Sequence, residues 1–66
     1  MMIVMKASAS EEEIQAVLDR IESCGARAHP SRGDEVTVIG AIGDREHIAR
    51  LELDSYPGVA RVVPIL

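Results

Sequence analysis

The chain has no tryptophan, no phenylalanine and a single tyrosine, Tyr56, among its 66 residues. Nothing in it can serve as a stacking platform for bases, and the core must be built from Ile, Val, Leu, Met and Ala. Clustered positive charge is missing too: 7 Lys and Arg stand against 11 Asp and Glu, a formal charge of −4, and the cations are scattered. That is not the electrostatic footprint of a nucleic-acid binder. The lone cysteine, Cys24, excludes an intrachain disulfide and offers no metal-ligand spacing, which fits a reducing compartment. No apolar run approaches the length of a membrane span, and the opening "MMIVMKASAS" is too short and too weakly charged for a signal peptide. Together these absences point to a small cytoplasmic domain with an aliphatic core, no nucleic-acid partner and no membrane partner. At this size one core stabilises only marginally, so association or attachment to something larger is a common remedy.

What is present is a sharp alternation of elements. "MMIVMK" is a short apolar run whose β-branched residues favour a buried strand. Ser10 followed by Glu13 matches a capping box, and Glu11, Glu12 and Glu13 place negative charge at the positive end of a helix. Ile14, Val17, Leu18 and Ile21 recur at i, i+3, i+4 and i+7, which predicts a helix over roughly 11–24, with Cys24 continuing the buried stripe and Gly25 as its stop. "ARAHPS" reads as a second strand and "RGD" as the turn into "EVTVIGAIG". In that third strand Val36, Val38, Gly40 and Ile42 alternate with Thr37, Ile39 and Ala41, so both faces are apolar near its centre. Asp44 is placed to cap a second helix in which Ile48 and Leu51 point inward and which "YPGV" ends; "VARVVPIL" is a last strand.

The order β-α-β-β-α-β predicts an α+β fold of the ferredoxin-like plan over residues 1–66: a four-stranded antiparallel sheet in spatial order 4-1-3-2, with two helices on one face. Proline provides a check, because it cannot donate to a sheet ladder and is confined to edges, strand starts and bulges. Pro30 and Pro64 fall in the second and fourth strands, the two edges of this plan, and the central strands have none. There is no linker, repeat or low-complexity segment. The chain stops at Leu66 among apolar strand residues, which points either to further protein beyond it or to an edge strand that pairs with another copy.

Catalysis would need a nucleophile and base, or an acid and base, in a sheltered cleft, and no such pair stands out. A metal site would have to draw on Cys24, His29, His47 and carboxylates, yet neither CxxC nor HxxxH spacing occurs. The ferredoxin-like metal chaperones carry paired cysteines after the first strand, where this chain has "KASAS". His47 reads as an exposed residue early in the second helix, Tyr56 as cover for the core edge, and Glu11 to Glu13 as capping. His29 and Ser31 differ. Strand alternation puts them on the same side of the sheet, either facing helix ends or on the open face. Between them an imidazole and a hydroxyl donate and accept hydrogen bonds, and Gly33 lets backbone approach a ligand closely. On spacing alone an ordinary solvated edge strand is the favoured reading of the pair, ahead of a small-molecule reader.

The whole chain resembles the N-terminal regulatory domain of the type Iβ 3-deoxy-D-arabino-heptulosonate 7-phosphate (DAHP) synthases. The resemblance is carried by "MIVMK", the capped "SEEEI", the H-x-S-x-G segment of His29, Ser31 and Gly33, "TVIGAIGD" from Thr37 to Asp44, and the closing "VVPIL". The sequence departs from the family at "KASAS", where a Pro-Gly turn is common, and at Pro30, where an apolar residue is more usual. The resemblance implies an ACT-like regulatory module that is not itself an enzyme and holds no cofactor. It implies that a catalytic (β/α)8 barrel, absent from this chain, follows in the family and condenses phosphoenolpyruvate with erythrose 4-phosphate using a divalent metal. It also implies that tyrosine or phenylalanine binds between regulatory domains of different subunits of a homo-oligomer, for feedback inhibition. In that setting His29 and Ser31 are the expected ligand-facing pair, with the Gly33 turn beside them. The alternative expectation is an association module that takes no ligand.

Overall fold

The computed structural model describes residues 1–65. Strands β1 (Met2–Met5), β2 (Arg27–Arg32), β3 (Thr37–Ile42) and β4 (Val59–Val63) alternate with helices α1 (Glu11–Ser23) and α2 (Arg45–Ala49), and a 3-10 turn covers Leu53–Ser55. The sheet is antiparallel in the order β2-β3-β1-β4, the same arrangement as the expected 4-1-3-2 read from the other edge. Pro30 accordingly lies on an edge strand. The fourth strand is shorter than "VARVVPIL": it ends at Val63, directly before Pro64, whose missing N–H cannot extend the ladder. Leu66, the last residue of that expected strand, lies outside the described residues.

Both halves of the capping box form: the Glu13 amide donates to Ser10 Oγ at 3.1 Å, and the Ser10 amide donates to Glu13 Oε1 at 2.8 Å. From that start α1 buries Ile14, Val17 and Ile21, which join Ile3 and Met5 of β1 and Ile39 and Ala41 of β3 in one core. Leu18 and Cys24 are only half-buried at its edge, and the Cys24 thiol donates to the Ile21 carbonyl. The core is wholly apolar among the described residues, with no buried polar or charged side chain. Directional interactions therefore act at its margins, and burial of aliphatic area holds the layers together.

The second helix differs from the expected continuous element. Asp44 caps it as expected, accepting from the Glu46 and His47 amides at 2.9 and 3.1 Å. The His47 amide, and behind it the charge of His47, holds the Asp44 carboxyl below its ordinary range. The helix then stops at Ala49. Glu52 turns left-handed, with φ 51°, and the chain re-forms as the 3-10 turn. The reason lies in Leu53. Ile48, Leu51 and Leu53 are all buried, but Leu51 and Leu53 would stand about 200° apart on one continuous α-helix. The reversal at Glu52 returns Leu53 to the core.

The β3–α2 corner sits tightly on the entry to β2. A Cβ at Gly43 would lie 2.8 Å from the Ala26 Cβ, so two small residues set how closely these segments approach.

A candidate ligand-binding face on the open side of the sheet

Register fixes which way each strand residue points. Ala28, Pro30 and Arg32 pair with Ala41, Ile39 and Thr37, and their side of the sheet carries the helices: Ala28 packs on the core and the Arg32 guanidinium reaches Glu11 at the start of α1, at 2.7 Å. His29 and Ser31 therefore point to the other side, which no helix covers. Of the two orientations open from spacing, the structure selects the open face. Two rows of residues cross it: His29, Gly40, Met2 and Val63 form one, and Ser31, Val38, Val4 and Arg61 the next.

This face is polar along the β2 edge, carries the exposed Arg61 at the β4 edge, and is apolar through the middle. Ile42 is 62% exposed and Met2, Val36 and Val63 are partly uncovered, whereas Ile39, one step from Gly40 on the same strand, is fully buried. Arg27, His29 and Ser31 line the β2 edge, and all three are exposed. The hydroxyls of Ser10, Ser23 and Ser55 are engaged with nearby backbone. Among the described residues, neither His29 nor Ser31 has a side-chain hydrogen-bond partner. Both retain their full donor and acceptor capacity for something external.

Gly33 lies elsewhere, in the β2–β3 loop. Its amide donates to the Val36 carbonyl at 2.9 Å, and a Cβ there would sit 3.0 Å from that oxygen. Its lack of a side chain is explained by loop closure. His47 is exposed and contributes its backbone to the Asp44 cap, and Tyr56 is half-buried against the core.

Two concavities among the described residues lie on the helix side instead. One of about 480 Å³ opens between α2, the 3-10 turn and β4, floored by Met1, Ile48, Leu53 and Val62 with Glu52 and Asp54 among its lining residues; another of about 390 Å³ adjoins it at Met1 and Ala49. Both follow from the shortness of α2, which leaves the helix layer thin above the β4 edge. They hold no buried polar group, so the unpartnered pair on the flat face is the stronger candidate for recognition. Among the described residues no His, Cys, Asp and Glu side chains group as a metal would require, and no helix is long and apolar enough to cross a membrane.

Residues 1–66 match the protein-family model described as the DAHP synthase ferredoxin-like domain. The chain belongs to that family. A phospho-2-dehydro-3-deoxyheptonate aldolase of Thermotoga maritima is 38% identical over 66 residues, which is 100% of this chain and 20% of that protein. A crystal structure of phospho-2-dehydro-3-deoxyheptonate aldolase (DAHP synthase) from Thermotoga maritima superposes with a TM-score of 0.88 at 37% identity, covering 98% of this chain and 19% of that one. This member of the DAHP synthase ferredoxin-like family thus spans about a fifth of the length of the relative it matches. The residues that sequence reasoning did not single out are Met2, Val4, Val38 and Gly40, the middle of the open face. Their signal was the apolar character of both faces of β3, which a sheet covered on one side does not require.

Proposed function

We propose that this chain is the regulatory domain of a DAHP synthase and that its open sheet face binds an aromatic amino acid, tyrosine or phenylalanine, between two copies of the domain. The observation that carries the reading is the unbonded His29 and Ser31 pair, projecting from an edge strand beside an apolar face that no helix among the described residues covers. A flat face encloses a small molecule poorly alone. Two such faces brought together supply the walls, with the apolar middle against the ring and the polar edge reading the hydroxyl or the amino-acid head. Gly33 lets the β2–β3 loop that follows the pair in sequence close compactly.

In the longer cytoplasmic, homo-oligomeric synthase, a catalytic barrel condenses phosphoenolpyruvate with erythrose 4-phosphate, and its divalent metal belongs to the barrel. Feedback inhibition follows if the ligand favours the paired arrangement of domains over the unpaired one. A coupling of about 1–3 kcal/mol shifts activity about 5- to 150-fold. Exposure of Met2, Val36, Ile42 and Val63 supports a second reading, an association module without a ligand.

Sedimentation velocity of the chain with and without tyrosine separates the two. Tyrosine should increase the dimer fraction. An association state that is the same in both conditions supports the ligand-free module.

A further inference from the structure

Four of the five glycines are demanded by the backbone around them: Gly25 and Gly58 have φ of 85° and 86°, and a Cβ on Gly33 or Gly43 would strike a neighbour at 3.0 or 2.8 Å. Gly40 is different. Its φ is not positive, and the nearest atom to a Cβ built there is the His29 carbonyl oxygen, at an ordinary 3.8 Å. It sits inside a central strand, where glycine costs roughly 0.5–1 kcal/mol relative to alanine. The fold would accept a side chain and be steadier for it, and a bare strand glycine of this kind marks a close approach by something else.

The missing side chain leaves a half-buried patch of bare backbone in the middle of the open face. His29 and Met2 flank it across the neighbouring strands, and Val38 and Ile42 flank it along β3. Two interstrand steps separate His29 from Met2, about 10 Å, and four residues of rise separate Val38 from Ile42, about 13 Å. A planar six-membered ring fits flat in that frame, with a thioether at one side.

We propose that Gly40 is the seat of the ligand's aromatic ring, which lies on the β3 backbone between His29 and Met2, with Ser31 one row away for the polar end. This rests on the aromatic amino-acid reading above. It makes Gly40 a specificity-determining position: the recess admits a flat ring and is closed by any side chain larger than a methyl group.

Gly40→Ala and Gly40→Val in the 66-residue chain test it, each melted thermally and titrated calorimetrically with tyrosine. Both variants should melt at or above the temperature of the parent. Tyrosine affinity should fall roughly tenfold or more with valine and less with alanine. In the unsubstituted chain, tyrosine should also move the Met2 methyl proton signal downfield, as the ring current does to a methyl beside the ring's edge, a readout that needs no variant. Gly40→Val that binds tyrosine as the parent does overturns the ring seat while leaving the amino-acid reading intact, as does binding without a Met2 methyl shift. A parent chain that takes up no tyrosine overturns both. Loss of self-association by Gly40→Val in the absence of any ligand would assign the recess to a partner's side chain and overturn the proposal as well.

Discussion

Ile39→Ala should cost about 2–5 kcal/mol of folding stability, whereas Ile42→Ala, three residues along the same strand, should stay within about 0.5 kcal/mol. The two isoleucines share a strand and occupy opposite faces of it, Ile42 at its end. Ile39 is fully buried on a central strand, paired with the equally buried Ile3, and enclosed by the stripe of α1. Truncating it removes apolar contact and leaves a cavity that the close-packed layers cannot collapse to fill. Ile42 is 62% exposed on the open face, so its loss returns to water little that folding had removed. A domain of 66 residues has roughly 3–10 kcal/mol in total, and Ile39→Ala would leave it largely or partly unfolded at ambient temperature. Urea denaturation at low protein concentration measures both, with an unchanged m-value showing that the comparison is between like states. Equal losses at the two positions would mean that the open face is covered in the single chain, and the placement of the candidate site would fall with it.

The second large effect concerns the polar pair. Replacing His29 or Ser31 with alanine should weaken tyrosine binding by about 5- to 150-fold, because the ligand's polar group is then buried without a partner. Phenylalanine separates their roles. The variant that loses affinity for tyrosine and keeps it for phenylalanine identifies the side chain that reads the phenol, since a ligand lacking the hydroxyl has nothing to lose there. The variant that weakens both amino acids identifies the reader of the amino-acid head. Both substitutions are on an exposed edge strand and leave the core untouched, so melting temperatures should be close to that of the parent. Unaltered affinity for both amino acids in both variants would remove His29 and Ser31 from the site.

Much of this molecule can be read from local chemistry. The capping box, the Ile14–Val17–Ile21 stripe of α1, the Asp44 cap and the edge position of Pro30 are each decided by residues a few positions apart, and each forms as expected. The second helix was less legible, because Ile48 and Leu51 satisfy a helical stripe and only Leu53, two residues later, breaks it; the core's claim on that one side chain reverses the chain at Glu52. Pro64 likewise ends β4 at Val63, where apolar composition alone would continue the strand. For the site, alternation already put His29 and Ser31 on one face, but the choice of face needed the register of β2 against β3 and the Arg32–Glu11 contact. Gly40 was hidden for a related reason. A strand glycine acquires meaning only when it is known that no neighbour would obstruct a side chain there.

Everything proposed for this domain depends on an aromatic amino acid being held on the open face of the sheet. Amide chemical-shift mapping of the labelled chain during a tyrosine titration tests it most directly. The perturbed amides should cluster at His29 to Arg32 on β2, Val38 to Ile42 on β3 and Met2 to Val4 on β1. Perturbations that gather instead around Ile48, Glu52, Leu53 and Asp54, at the cleft beside β4, would contradict it.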